Sequence, residues 1–235
     1  MGFDEEQKLI SIVVPVVNDD PRLNDCLSYL KRHTSMPHEI LIQLAPSIPA
    51  AIADGCARAA GNYLCWLDPS IRVTAGWLEG LIRIYRVFAS CGITVPRRLK
   101  SQEVITLGEP YRRYPDILVN QSLDLSCALI PLWIYRTVGP FDHRYELRHV
   151  ADGDYFERLR QNNFFVGVSG GSVVDWEPFA WLSDEQLLAY DHDTDLAIHR
   201  DRRRGLAKAT RIATAMSSGV EFNDAQRGDF TIIEA

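Results

Sequence analysis

Apolar runs and amphipathic segments alternate along the first hundred residues of the chain. Three short aliphatic runs predict strands that are buried on both faces of a sheet, at residues 10–17, 39–44 and 63–67. Apolar residues also recur at helical spacing, which predicts helices from Pro21 onward, over 48–60 and over 78–88. Because strands that alternate with helices are joined by right-handed crossovers, we expect a largely parallel sheet.

The second half of the chain is less regular. Its apolar runs predict three further strands, at 122–130, 164–168 and 172–176. Two helices are predicted on either side of a loop over 141–149, at 131–138 and 152–161.

A change of composition near residues 177–183 predicts a boundary. Beyond Ser183 the chain is polar with a single apolar stripe, which is typical of helices. We therefore expect one domain over 1–180 and a helical C-terminal extension over 181–235. The extension is expected to pack either on this domain or on a partner subunit in a homodimer.

Composition and charge narrow the classes of partner. The 235 residues are 46% hydrophobic and 24% charged, which is ordinary for a globular protein. A net charge of −6, with one short basic run over 199–204, argues against a nucleic-acid partner. Five scattered cysteines without a CxxC pair indicate free thiols. The acidic N-terminus and the lack of an apolar run of roughly 20 residues predict a cytoplasmic protein without a transmembrane segment.

The end of the third predicted strand carries the first candidate chemistry. Asp68 directly follows the apolar run and precedes a polar loop, in the stretch NYLCWLDPS. A carboxylate at the end of a buried strand is costly unless it is paired or binds a ligand. Ligands of such sheets bind beyond the carboxyl ends of the strands. We therefore expect Asp68 to belong to a binding site.

An ordered series of motifs resembles the family 2 glycosyltransferases, which are inverting enzymes with a GT-A fold. The series is ISIVVPVVND, EILIQL, ARAAGNYLCWLD, TAGWLEGLI, SCALIPLWIYRTVGPFDHRY, DGDYFERLRQNNFFVGV and VVDW, over residues 10–176. The resemblance implies an α/β fold, with a mixed and mostly parallel Rossmann-like sheet flanked by helices. It also implies transfer of a sugar from a nucleotide-sugar donor, usually a UDP-sugar, with inversion. The acceptor is a hydroxyl group of an unknown glycan, lipid or protein.

The resemblance also implies roles for individual residues. The family's nucleotide-sugar-binding positions are matched by Pro15, Asn18, Arg58, Asp68 and Ser70, of which the last two stand in its D-x-D motif. The family's general base is matched by Asp152. A position near a helix start lowers the pKa of such an acid, unless an apolar wall or the nearby Asp154 raises it. A simple helix-capping role for Asp152 is the other interpretation.

A divalent cation, Mn²⁺ or Mg²⁺, is the cofactor that the resemblance implies. Ser70 replaces an acid of the D-x-D motif, and Asp175 stands where the family has a histidine. We expect Asp68 and Asp175 to hold the metal, although an exposed acid at a strand end is an equally good interpretation of Asp175. Without a metal, arginines must stabilise the diphosphate; the candidates are Arg97, Arg98, Arg112, Arg113 and Arg202–Arg204.

Two other functions stay open. Acids expected by the resemblance are missing at positions 44, 45, 70 and 151, which favours a GT-A-fold binding or scaffold protein without catalysis. A sugar nucleotidyltransferase is less well supported, because no glycine-rich phosphate loop follows the first strand. The glycosyltransferase interpretation requires the acids at 68, 152 and 175 to converge around one cleft at the edge of the sheet.

Overall fold

The computed structural model describes residues 10–99, 115–120 and 123–176. The predicted C-terminal extension and the candidate arginines at 112, 113 and 202–204 lie outside the described residues, and so do the predictions made for them. Within the described ranges, no helix is long and apolar enough to cross a bilayer.

The described residues form eight strands and five helices. The strands are β1 Ile10–Val16, β2 His38–Leu44, β3 Tyr63–Leu67, β4 Ile71–Val73, β5 Cys91–Leu99, β6 Ile117–Val119, β7 Cys127–Pro131 and β8 Phe165–Trp176. The helices are α1 Leu23–His33, α2 Ile48–Arg58, α3 Trp77–Val87, α4 Leu132–Val138 and α5 Arg148–Gln161. The predicted alternation of strands and helices over the first half is confirmed.

All eight strands belong to one mixed sheet. Its order is β2-β1-β3-β7-β5-β8-β4, with β6 paired to β8. Strand β1 runs parallel to both β2 and β3, whereas β7 runs antiparallel to β3 and β5. Strand β8 is parallel to β5 and antiparallel to β4 and β6. The carboxyl ends of β1, β2 and β3 therefore share one edge, and the segment that enters β7 reaches the same edge.

Helices cover both faces of this sheet, which explains the continuous apolar runs of its inner strands. On one face, Val13 and Trp66 pack in a core cluster with buried residues of α2, α4 and α5. On the other face, Ile12 and Leu67 pack with buried residues of α1 and α3. Neighbouring residues of β1 thus point to opposite cores, as the period of two in a strand requires.

Several details differ from the expectations. Strands β4 and β6 were not predicted, and the strand expected over 122–130 is β7, which begins at Cys127. Helix α3 ends at Val87, and Gly92 lies in β5, a strand that the sequence did not predict. A Cβ at Gly92 would lie 2.5 Å from the Cβ of Phe164, so close packing requires this glycine. The two strands expected over 164–176 are one strand, β8, with an irregular pairing to β5. Helix α5 begins four residues before the expected start at 152, at Arg148.

Candidate functional site

A tight turn fixes Asp68 at the carboxyl end of β3. The Asp68 carbonyl accepts a hydrogen bond of 3.0 Å from the Ile71 N–H, with Pro69 at the second position of the turn, where its fixed φ fits. The Asp68 N–H donates to the Ser126 carbonyl at 2.8 Å, which ties it to the segment that enters β7. The side chain of Asp68 is fully buried. Its direction is therefore set by the backbone on both sides.

The first residue of α5 reaches this carboxylate. Arg148 donates from Nη1 to Asp68 Oδ1 at 2.9 Å and from Nε to Asp152 Oδ1 at 2.7 Å. Its Nη2 donates to the Leu125 carbonyl, and the Leu125 N–H donates to Asp152 Oδ2 at 3.1 Å. We call Asp68, Arg148 and Asp152 the edge cluster. Two of the acids that the sequence singled out thus meet on one guanidinium group.

Aromatic side chains pack together between β3 and α5, the two elements that carry the edge cluster. Trp66, two residues before Asp68, donates from Nε1 to the Leu125 carbonyl at 2.8 Å. Its ring contacts the edges of Phe141 and Tyr155, at centroid distances of 5.2 Å and 5.8 Å. Phe141 and Tyr155 stack on each other at 4.4 Å. Because Tyr155 belongs to α5, this packing fixes the helix against β3 and holds the cluster in place.

Burial dominates the electrostatics of both acids. It raises the pKa of Asp68 above the usual value, although the charge of Arg148 opposes the shift. Burial likewise raises the pKa of Asp152 to about 6, again against the opposing charge and hydrogen bond of Arg148. Because α5 begins at Arg148, Asp152 lies in its second turn and does not cap it, and burial is the largest influence on its pKa. The pKa of Arg148 is raised by the two acids, in spite of its own burial, so Arg148 stays charged.

One oxygen of the edge cluster is unsatisfied. Asp68 Oδ2 is buried and has no hydrogen-bond partner among the described residues. A buried polar atom without a partner costs stability, so native proteins keep few of them. A catalytic role or a bound water, ion or ligand would each explain such an atom.

A second ion pair lies beside the edge cluster. Arg98, near the end of β5, donates to both carboxylate oxygens of Asp124, at 2.6 Å and 2.8 Å. The N–H and hydroxyl of Ser126 also donate to Asp124 Oδ1. Burial opposes ionisation of Asp124, but the hydrogen bonds and charge of Arg98 outweigh it and lower the pKa. The same edge of the sheet thus carries two guanidinium groups and three carboxylates.

The other predicted nucleotide-sugar-binding residues lie around the ends of β1 and β3, and on α2. Pro15 is buried near the end of β1, and Asn18 is exposed just beyond it with a left-handed φ of 60°. Ser70 is buried between β3 and β4. Arg58 is exposed at the end of α2 and donates to Gln43 Oε1 at 3.1 Å. Their contacts with a nucleotide stay predictions.

Asp175 pairs with a different arginine from the one that holds Asp68. It lies on β8 opposite Arg72 of β4, with 3.8 Å between Arg72 Nη1 and Asp175 Oδ2. Arg72 also binds Asp25, at 2.7 Å. Metal ligation by Asp68 and Asp175 stays a prediction, and these pairings count against it.

The described residues do not fit a divalent cation in this arrangement. None of them form a group of three or more His, Cys, Asp or Glu side chains arranged to hold a metal ion. One oxygen of Asp68 already binds a guanidinium group, and position 70 offers only a hydroxyl. A hard divalent cation prefers several oxygen ligands, carboxylates above all, and is repelled by a neighbouring positive charge.

Sequence reasoning did not identify Arg148. This residue fell in the loop expected over 141–149, so its helical spacing to Asp152 was not used. An arginine four residues before an aspartate is a signal for a side-chain pair on a helix, provided that the helix is predicted to start early enough. Asp124 was missed because nothing in its sequence context marks it.

The fold is shared with solved glycosyltransferases. GalNAc-T7, solved with UDP, GalNAc and Mn²⁺, aligns with a TM-score of 0.57 and 12% identity, over 74% of this chain and 44% of that one. The catalytic domain of Drosophila β1,4-galactosyltransferase 7, in complex with xylobiose, aligns with a TM-score of 0.52 and 14% identity, over 74% of this chain and 73% of that one. This chain thus spans less than half the length of the first of these proteins.

Comparison of sequences gives no family assignment. No protein-family model matches the chain, and no curated protein matches it at a significant level. At such low identity the structural likeness shows the fold alone. The expected GT-A fold is confirmed.

Proposed function

We propose that this chain is a glycosyltransferase that takes a sugar from a nucleotide-sugar donor, with UDP-sugars as the first candidates, and transfers it to a hydroxyl acceptor with inversion. The observation that carries the proposal is the edge cluster. It lies where sheets of this type bind their ligands, beyond the carboxyl end of β3, and it contains a buried carboxylate oxygen without a partner among the described residues. Proteins that share this fold include glycosyltransferases solved with UDP or with sugars.

Asp152 is the base in this proposal. Inverting transfer needs a group that takes the proton of the acceptor hydroxyl as its oxygen attacks the anomeric carbon. A pKa of about 6 leaves Asp152 ionised at neutral pH while keeping its affinity for a proton higher than that of an exposed aspartate. Both of its oxygens accept hydrogen bonds in the structure, from Arg148 and from Leu125. Release of Asp152 Oδ1 by Arg148 would make that oxygen a stronger proton acceptor.

The remaining roles concern the nucleotide. Asn18 and Pro15 lie at the end of β1, beside the turn that carries Asp68, and would border the nucleobase. Arg58 is exposed, so it can turn from Gln43 toward a bound nucleotide. In this proposal the diphosphate and the anomeric carbon of the donor lie at the edge cluster.

A binding protein without catalysis is the alternative, and one observation favours it. Both oxygens of Asp152 are engaged and its side chain is only 5% exposed, as expected for a purely structural ion pair. This alternative still predicts binding of a ligand at the edge of the sheet, but no turnover.

Nucleotide binding and donor hydrolysis separate these functions. We expect UDP to raise the Tm of the protein, because a ligand present at a hundred times its Kd stabilises the folded state by about 2.7 kcal/mol. We also expect slow hydrolysis of one UDP-sugar from a panel of UDP-glucose, UDP-galactose and their N-acetylated forms. GDP, CDP and dTDP are the controls for the base. Binding without hydrolysis or transfer favours the alternative, and no shift with any of these nucleotides contradicts the proposal.

A further inference from the structure

We propose that Arg148 receives the diphosphate of the nucleotide-sugar donor, in the place where related chemistry uses a divalent cation. This inference rests on the proposed function and names the group that would bind the donor's charge. It starts from the position of the guanidinium group between two carboxylates. Nη1 lies 2.9 Å from Asp68 Oδ1 and Nε lies 2.7 Å from Asp152 Oδ1. One protein cation thus already bridges the two acids of the site.

The guanidinium group has hydrogen-bonding capacity left for an anion. It carries five N–H donors, and three of them serve Asp68, Asp152 and the Leu125 carbonyl. One N–H on Nη1 and one on Nη2 remain, and guanidinium N–H groups are well suited to phosphate oxygens. Arg148 can therefore bind a phosphate oxygen without first losing all of its present partners.

Exposure makes Arg148 the member of the edge cluster that an arriving anion meets first. Its side chain is 13% exposed, whereas the side chain of Asp68 is fully buried and that of Asp152 is 5% exposed. A diphosphate that approaches from solvent therefore encounters positive charge before it encounters the carboxylates. The opposite arrangement, with exposed acids and a buried arginine, would repel the donor.

Binding of the diphosphate would also prepare the base. The diphosphate carries two negative charges against the single charge of a carboxylate, so it competes with Asp152 Oδ1 for the Nε and Nη2 edge of Arg148. When Arg148 turns to the phosphate, Asp152 Oδ1 loses its partner and can accept a proton. The acceptor's O–H proton then passes to Asp152 as its oxygen bonds to the anomeric carbon. The bond from that carbon to the diphosphate breaks, and its electron pair leaves with the nucleotide diphosphate held by Arg148.

Two explanations predict opposite effects of the substitution Asp68→Asn on the binding of UDP, and the test of this inference separates them. If Asp68 holds a metal, Asp68→Asn removes the metal and with it the binding of UDP. If Arg148 binds the diphosphate, Asp68→Asn removes a competing negative charge, and UDP binds equally well or more tightly. Asp152→Asn tests the same competition on the other side of the guanidinium group.

The measurement is calorimetric titration of the full-length chain with UDP, once in EDTA and once in Mn²⁺. We expect the wild-type Kd to agree within about twofold between the two conditions, and Arg148→Gln to weaken binding about tenfold or more, as loss of a charge-assisted hydrogen bond implies. Arg160→Gln is the matched control, because it removes one positive charge from the far end of the same helix, where Arg160 pairs with Glu157 on the surface. This control should leave the Kd within about twofold, since screened surface charges contribute little.

Arg148→Lys covers the case in which Arg148→Gln does not fold. It keeps the charge but loses the two-point contact, and we expect intermediate affinity. Wild-type binding that requires Mn²⁺ and disappears in Asp68→Asn overturns the inference and leaves the proposed function standing. Wild-type protein that binds neither UDP nor GDP, CDP or dTDP, with or without Mn²⁺, overturns the proposed function as well.

Discussion

Helix α5 carries two buried arginine–aspartate pairs that have the same chemistry and different surroundings. At its start, Arg148 binds Asp152 at 2.7 Å, and ten residues further along Arg158 binds Asp154 at 3.0 Å. In each pair the two residues are four apart in sequence, the spacing that brings side chains together on one face of a helix. Both are largely removed from solvent, so neither resembles a surface salt bridge.

The second pair is enclosed by structure. Arg158 Nη1 donates to the carbonyls of Val138, Gly139 and Pro140, which closes the end of α4, and its guanidinium group lies 4.7 Å from the centre of the Tyr155 ring. Its side chain is 6% exposed and that of Asp154 is 3% exposed. Arg158 thus holds the end of one helix against another.

The edge cluster differs because its arginine is shared between two acids and still reaches solvent. Asp68 also keeps a buried oxygen without a partner among the described residues. Burial and charge alone therefore do not identify a functional site. Two acids share one arginine at the carboxyl end of β3, and this distinguishes the first pair from the second.

The largest expected effect concerns turnover. Asp152→Asn should lower the rate of sugar transfer about a thousandfold, because a positioned general base contributes roughly 10²–10⁴-fold. UDP binding should be kept or strengthened. The measurement is kcat with saturating donor, alongside the Kd for UDP.

Asp154→Asn is the matched control for this prediction, since it alters the acid of the enclosed pair. It should lower the stability of the protein and leave the kcat of folded protein within about threefold, because Asp154 is assigned no contact with substrate. Equal losses of turnover in the two variants would remove the distinction between the pairs.

The next effect concerns stability. Arg158→Met should lower the free energy of unfolding by about 3 kcal/mol, because it leaves Asp154 buried without its partner and three carbonyls at the end of α4 without their donor. Urea denaturation measures the change. Folded Arg158→Met protein should bind UDP with the wild-type Kd. A loss of UDP binding in the folded variant would contradict the structural role.

A smaller effect follows from the titration of Asp152. Its pKa in the folded protein is raised from the usual 3.8 to about 6, so between these values the folded state binds more protons than the unfolded state. The free energy of unfolding should therefore rise as the pH falls from 7 to 5, by about 1 kcal/mol for this group. Other groups titrate too, so the quantity to measure is the difference between wild type and Asp152→Asn across this range. A difference that does not change with pH would show that Asp152 does not take up a proton there.

The smallest effect sharpens the contrast with an exposed pair on the same helix. Arg160 and Glu157 pair at 2.9 Å, and the Arg160 side chain is 53% exposed. Glu157→Gln should change the free energy of unfolding by about 0.5 kcal/mol or less, and the change should shrink further at high salt. A loss comparable to that of Arg158→Met would mean that burial does not set the energies of these pairs.

The regular first half of the fold could be predicted from the sequence. Strands β1 to β3 and helix α2 lie within two residues of their predicted bounds, because continuous apolar runs and helical periodicity are strong local signals. Strand β5 escaped prediction. It contains a proline and two arginines near its end, which read as a polar segment.

The site could be predicted in part. The placement of Asp68 at a strand end led correctly to a position at the edge of the sheet, and Asp152 meets it there through Arg148. Arg148 itself was hidden because α5 begins without a capping side chain, after Leu147, so no local signal marks the start of the helix. Asp175 lies in a strand, as predicted, but the register of β8 against β4 places it opposite Arg72. The register between strands that are distant in sequence cannot be predicted from one sequence.

The most direct test of the central claim is an experimental structure of the protein crystallised with UDP and Mn²⁺. We expect the diphosphate to lie at the carboxyl end of β3, with Arg148 about 2.7–2.9 Å from a phosphate oxygen. We also expect the hydrogen bond between Arg148 and Asp152 Oδ1 to be broken. A Mn²⁺ ion bound between Asp68 and the diphosphate, with Arg148 still on both acids, would contradict the role of Arg148. UDP bound away from the edge cluster would contradict the whole account.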